Sequence, residues 1–137
     1  MAETVQRIPY FYVEVPDKPG EASRILNLLK EENVNLLAFC GFPQGRRAQI
    51  DFVPSDAAAF KAAARKAKLK LVGPKTVFLI QGDDRVGAGA EILAKLAEAK
   101  INVTSVQAVA AGSGLYGALL WVGPRDVNKA ARLLGVA

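Results

Sequence analysis

Displaced by 67 residues, this chain aligns with itself: Gly20 falls on Gly87, Ile25 on Ile92, Leu26 on Leu93, Leu29 on Leu96, Val34 on Ile101 and Asn35 on Asn102. Two copies of one unit are the simplest account of that register. The constraint is severe, because whatever fold one half adopts must also suit the other. With 137 residues, the chain has room for two small units or one ordinary domain, and a chain of this size buries roughly two-thirds of its unfolded surface.

The periodicity supplies the elements. Apolar positions recur at helical spacing in Ala22, Ile25, Leu26 and Leu29, and again in Gly89, Ile92, Leu93 and Leu96. Arg24, Lys30, Glu31, Glu91, Lys95 and Glu98 are left outside, so each helix has one buried stripe. Before each helix lies a run rich in aromatic and β-branched residues, Ile8 to Val15 and Thr76 to Gln81. After each come two more runs. Asn35 to Phe42 and Ala48 to Val53 flank Pro43, Gln44 and Gly45, whereas Asn102 to Ala110 and Tyr116 to Val122 flank AGSG. Both pairs have the signature of hairpins. Pro54-Ser55-Asp56 and Pro124-Arg125-Asp126 then open an Ala-rich helix to about Ala67 and a second from Val127 to Leu134.

The order per copy is strand, helix, strand, strand, helix, with Leu69 to Val72 as the fourth strand of the first copy. This predicts an α+β fold of two ferredoxin-like βαββαβ units in tandem, residues 1–73 and 74–137, with antiparallel sheets and helices on one face. The second copy ends at Gly135, Val136 and Ala137, too short for a full last strand. Its sheet is expected to be completed by the linker or by another chain.

Composition removes several function classes. The chain has no histidine, which excludes a His-based triad, a Cys/His dyad and an imidazole zinc site. Cys40 is the single cysteine, within the apolar run LLAFCGF, so no intrachain disulfide forms and a buried small hydrophobe is the expected role. No apolar run approaches the roughly 18 residues of a membrane span, and the N-terminal residues lack a basic-then-apolar leader pattern. The expected compartment is the cytoplasm, with no membrane partner. The net charge of +5 is uneven, since Lys61, Arg65, Lys66, Lys68, Lys70 and Lys75 fall in a stretch with no acidic residue from Ala57 to Gly82.

The stretch V-x-x-x-D-K-P-G from Val13 to Gly20, followed by an amphipathic helix and ENVNL from Glu32 to Leu36, resembles the ACT domain, a small amino-acid-sensing module. The resemblance is tandem and covers nearly the whole chain. It implies a free-standing, non-catalytic regulator that needs no cofactor or metal and binds an amino acid where two such units meet. The implied ligand residues are Asp17, Lys18, Pro19 and Gly20, with Asn35 and Leu36 across from them. In the second copy Asp84, Arg85 and Gly87 stand where Asp17, Lys18 and Gly20 stood, Asn102 matches Asn35, and Val86 replaces the proline. The first copy carries the fuller motif and is the expected principal site.

Elementary chemistry agrees with that placement. A helix N-terminus offers unsatisfied N–H groups and a partial positive charge, which suit a carboxylate, and a glycine there lets a ligand reach the backbone. Asn35 carries both a donor and an acceptor. The same loop residues also serve a purely structural turn, with Asp17 capping the helix or stopping the strand.

Other motifs lose their meaning in context. GSGLYG, from Gly112 to Gly117, fits G-x-G-x-x-G but lies between two strands instead of opening a helix. GDDRVGAG lacks the G-K-[ST] of a P-loop. The basic stretch lacks the strand aromatics of an RNA-binding sheet, so no nucleic-acid partner is expected. Asp83 and Asp84 are neighbours in a tight loop, where solvation is the ordinary outcome, and Trp121 and Tyr116 suit a core or interface. The partners expected are a small amino acid, a second copy forming a homodimer and, further out, a metabolic enzyme. The alternative function is a subunit that docks on an enzyme or transcription factor without a small ligand; a third, a small enzyme using Tyr116 or a carboxylate, is the remaining class.

Overall fold

The computed structural model describes residues 3–136. The chain divides into two compact units: residues 9–75, the N-terminal unit, and residues 76–136 joined by residues 3–8, the C-terminal unit. Both are built from the repeated elements β1 (Thr4–Pro16), α1 (Glu21–Glu31), β2 (Leu36–Gln44), β3 (Arg47–Pro54) and α2 (Ala57–Lys66), then β4 (Val72–Asp83), α3 (Ala88–Glu98), β5 (Val103–Ala110), β6 (Leu115–Val122) and α4 (Val127–Leu134).

In the N-terminal unit the strand order is β2-β3-β1, with residues 72–75 at the start of β4 as the fourth strand beside β1. Antiparallel register sets Phe11 opposite Phe52 and Phe52 opposite Phe39. Alternation then sends Phe11, Val13, Val15, Ile50 and Phe52 to one face, where Ile25 and Leu29 of α1 and Phe60 and Ala63 of α2 meet them. Phe60 is the centre of that core, with ring centroids 5.2 Å from Phe11 and 5.5 Å from Phe52. Those separations suit favourable aromatic pairs. Asp56 caps α2 by accepting from the Ala59 N–H at 3.1 Å, as Pro-Ser-Asp suggested.

The C-terminal unit repeats the plan. Its order is β5-β6-β4, and its core joins Phe78, Ile80, Leu120 and Val122 to Ile92 and Leu96 of α3 and Ala130 and Ala131 of α4. Here a single 3₁₀ turn, Pro124–Asp126, precedes α4, and the Asp126 side chain makes no cap bond.

Two expectations about strands change. Leu69 to Val72 is not the fourth strand of the first copy, because α2 ends in a tight turn with Lys68 at φ 59° and the Leu69 N–H bonded back to the Ala64 carbonyl. Leu69 and Leu71 then pack against the core as a connector, and pairing begins only at Val72. Among the described residues the second copy supplies no fourth strand after α4. The linker does not fill the place beside β4. The start of β1 does: Val5 packs on the C-terminal core and the Arg7 guanidinium donates to Asn128 Oδ1 at 2.8 Å. Strands β1 and β4 therefore each contribute to both units.

Candidate functional site

In the C-terminal unit the residues that leave β4 and enter α3 are Asp84, Arg85, Val86 and Gly87. Gly87 stands at the N-cap of α3 with φ 84°, a left-handed conformation that an L side chain adopts only with strain. No side chain caps α3. The Ala88 N–H donates to the Arg85 carbonyl at 3.3 Å, and the space beside Gly89 is open, since even an added Cβ would meet nothing within 4 Å.

Beneath this helix start lies a cavity of about 360 Å³. Small side chains make the space: Ala88 and Gly89 on the helix, Ala108 and Ala110 on β5, and Ala118 on β6. Ile80, Ile92, Leu93, Val106 and Leu120 supply an aliphatic wall, and Asp84, Arg85 and Tyr116 the polar groups. Register places those polar groups at one end. Tyr116 lies opposite Gly82 and Ala110, one residue from the loop, whereas Leu120 lies opposite Phe78 and Val106, about 13 Å along the strand.

The polar end is organised by a carboxylate from the start of the chain. Glu3 Oε2 accepts from Arg85 Nη2 and from the Tyr116 hydroxyl, both at 3.3 Å, and Arg85 Nη2 also donates to Glu91 Oε2. The Arg85 bond holds the Glu91 carboxyl below the usual range, and Glu91 in turn raises the guanidinium above its own. Burial, reinforced by the Glu3 charge, raises the Tyr116 phenol, so it remains a neutral donor. Both Arg85 bonds leave from Nη2. Its Nη1 and Nε, three of five N–H donors, have no partner among the described residues.

The N-terminal unit has a smaller counterpart, about 310 Å³, at the DKPG loop. Asp17 and Lys18 line it with Val15, Pro16, Gly41, Pro43 and Ile50. Its helix start differs: Glu21 occupies the position of Ala88 and pairs with Arg24 at 2.9 Å and Lys18 at 3.9 Å. Pro19 and Gly20 are exposed, and Gly20, at φ 92°, caps α1 without a side-chain bond.

The structure thus brings Asp17, Lys18, Pro19 and Gly20 together, and likewise Arg85 and Gly87. It does not bring Asn35 and Leu36 to the DKPG loop within the unit. Leu36 pairs with Pro54, whereas Gln44 and Pro16 share the row of Arg47, so Leu36 lies about 26 Å along β2 from the loop. The helix runs the length of the sheet between them, so the loops at its two termini emerge at opposite ends of the unit. Asn35 instead closes a turn, its carbonyl accepting from Ser55 N–H at 3.0 Å and Ser55 Oγ at 3.1 Å. Asn102 is displaced from Arg85 in the same way and is exposed.

Sequence reasoning missed Glu3, Glu91 as a partner of Arg85, Tyr116 and the β5 alanines as cavity residues. The small residues at Ala88, Gly89, Ala108 and Ala110 were a usable signal, since such positions on facing elements leave space. Elsewhere, Cys40 is opposite the buried Asp51, and burial together with that charge pushes its thiol up to about 11. Among the described residues no group of three or more Cys, Asp or Glu side chains is placed to hold a metal.

No protein-family model and no curated protein matches the chain. Solved structures do. Protein BT0572 from Bacteroides thetaiotaomicron has a TM-score of 0.83 at 17% identity, over 96% of this chain and 88% of that one. The ligand-free regulatory subunit of aspartate kinase from Thermus thermophilus has a TM-score of 0.65 at 15% identity, over 98% and 95%. An aspartokinase α- and β-subunit structure gives 0.60 at 20% identity, over 98% and 95%. At these identities the likeness establishes the fold alone, an α+β tandem of ferredoxin-like units.

Proposed function

We propose that this chain is a non-catalytic regulatory protein that binds a small effector, an amino acid, at the strand-to-helix loops of its ACT-like units. The observation that carries the reading is the C-terminal cavity, where an uncapped helix start, open guanidinium donors and the Asp84 carboxylate converge at one end of an apolar space. A zwitterion needs that combination: donors for its carboxylate, an acceptor for its ammonium and a cover for its side chain. The volume lies at the small end of the range for ligand sites. The DKPG loop with Asp17, Lys18, Pro19 and Gly20 is the second candidate position.

The regulatory part of the reading is supported by analogy with the aspartate kinase regulatory subunits that share the fold. The protein acts in the cytoplasm as a homodimer, and the effector changes its arrangement through differential affinity for two states. Docking on a metabolic enzyme is favoured by the exposed α2 face, where Lys61 and Arg65 have no acidic partner among the described residues.

A melting screen of the whole chain against the twenty amino acids tests the proposal. An effector at a hundred times its Kd stabilises by about 2.7 kcal/mol and raises Tm measurably. If none raises Tm at millimolar concentration, effector sensing fails. Turnover of any metabolite by the purified chain would refute the non-catalytic assignment.

A further inference from the structure

We infer that the cavity of the C-terminal unit is selective for a small aliphatic amino acid, the class of leucine, isoleucine and valine, and that the N-terminal cavity does not share this ligand. The inference rests on the effector-binding reading above and narrows it. Beyond the polar end, the wall consists of Ile80, Ile92, Leu93, Val106 and Leu120 with alanines between them. No hydroxyl, amide or charge lies among those residues to pair with a polar side chain. A serine, aspartate or lysine side chain placed there would lose its water and find no partner, whereas an aliphatic one loses nothing polar.

The wall is also unusually exposed for its composition. Leu93 and Val106 keep 38% and 44% of their surface open, although both line the cavity. An aliphatic ligand removes that apolar surface from water, which is the driving force such a site has to offer. Orientation is set by the other end. The ligand carboxylate takes the Nη1 and Nε donors of Arg85 and the N–H groups of Gly89 and Ala90 in the first turn of α3, and its ammonium takes Asp84.

The two copies differ at the position that decides this. Where α3 begins with Ala88, α1 begins with Glu21, already paired with Arg24 and Lys18. A carboxylate at the first helical position stands against the helix N–H groups that an amino-acid carboxylate needs and engages both neighbouring cations, whereas Glu3 and Glu91 hold Arg85 through Nη2 alone and leave Nη1 and Nε. The aliphatic wall is also interrupted in the N-terminal cavity by Pro43, Gly41 and Phe42.

Isothermal titration of the full chain decides among the outcomes, using L-leucine, L-isoleucine, L-valine, L-serine, L-aspartate and L-lysine, with 4-methyl-2-oxopentanoate and leucinamide as controls. The expected result is one site per chain for the aliphatic acids, binding at least tenfold weaker for the polar ones and for both controls. Ala108→Trp, which fills the cavity from the exposed β5 strand, should abolish binding while the melting curve without ligand stays unimodal, and Gly41→Trp in the other unit should leave it intact. Tighter binding of a polar amino acid that Ala108→Trp removes overturns the aliphatic selectivity and leaves effector binding standing. Leucine binding that survives Ala108→Trp but not Gly41→Trp overturns the assignment to this cavity. Absence of binding by every amino acid overturns both readings.

Discussion

Gly82 shows how single residues set the site. An added Cβ there would stand 2.9 Å from Tyr116 and 3.0 Å from Glu3, the two groups that organise the polar end. Gly82→Ala should therefore cost about 1–3 kcal/mol in denaturant melts, and should weaken effector binding as well because the Glu3 bonds to Tyr116 and Arg85 must part. Gly87→Ala meets no neighbouring atom, so it should cost only the backbone strain of a positive φ, about 1 kcal/mol. Cys40 makes a different residue-level test. Its thiol titrates near 11 in the fold against an ordinary value of 9.0, because burial and Asp51 both oppose the thiolate. The folded state thus holds a proton that the unfolded state releases. Stability from this source is complete below pH 9 and falls as pH rises toward 11. Iodoacetamide at pH 8 should accordingly leave Cys40 unmodified in the native protein and label it in denaturant, as mass spectrometry would record.

At the level of elements, what the sequence disclosed and what it withheld have distinct physical causes. The helices and hairpins were legible because each copy keeps its own local period, so β5, β6 and α4 fall close to the expected bounds. The exchange of strand ends was not. Whether residues 4–8 pair within their own copy or with the other depends on non-local partners, and β-branched patterning is the same in either case. The distance of Asn35 from the DKPG loop of its own unit was hidden for a related reason, since only the length of α1 and the register of β2 set the two at opposite ends. The exchanged strand yields a test. Deleting residues 1–8 removes Val5 from the C-terminal core together with the Glu3 and Arg7 contacts. Hydrogen exchange should then quicken in β4, β6 and α3 while β2 and β3 keep their protection. Equal loss in both units would argue against this assignment of the strand.

For the whole molecule, duplication with subsequent divergence gives one fold two unequal cavities. The fuller motif, DKPG, sits over the smaller, acid-bearing one, and DRVG over the larger, aliphatic one. On the proposed reading motif completeness does not rank the sites, because the differences it turns on, Glu21 against Ala88 and, opposite Val15 and Gly82, Ala48 against Tyr116, lie outside the motif. The start of β1 now fills the place that had argued for dimerisation through the second copy, yet apolar residues remain open on the edge strands: Phe39 on β2 and Val109 on β5 are 54% and 67% exposed. If homodimers form through the β2 edge, sedimentation should give a dimer for the native chain and a monomer for Phe39→Glu.

The proposed function turns first on an effector occupying the α3 end of the C-terminal unit. A ¹H–¹⁵N correlation spectrum of the whole chain, titrated with L-leucine, addresses that occupancy without an intermediary. Saturable shifts should concentrate at Asp84 to Ala90 and Ala108 to Ala110, with residues 17–22 unmoved. Shifts confined to residues 17–22, or no saturable shift at millimolar ligand, would contradict it.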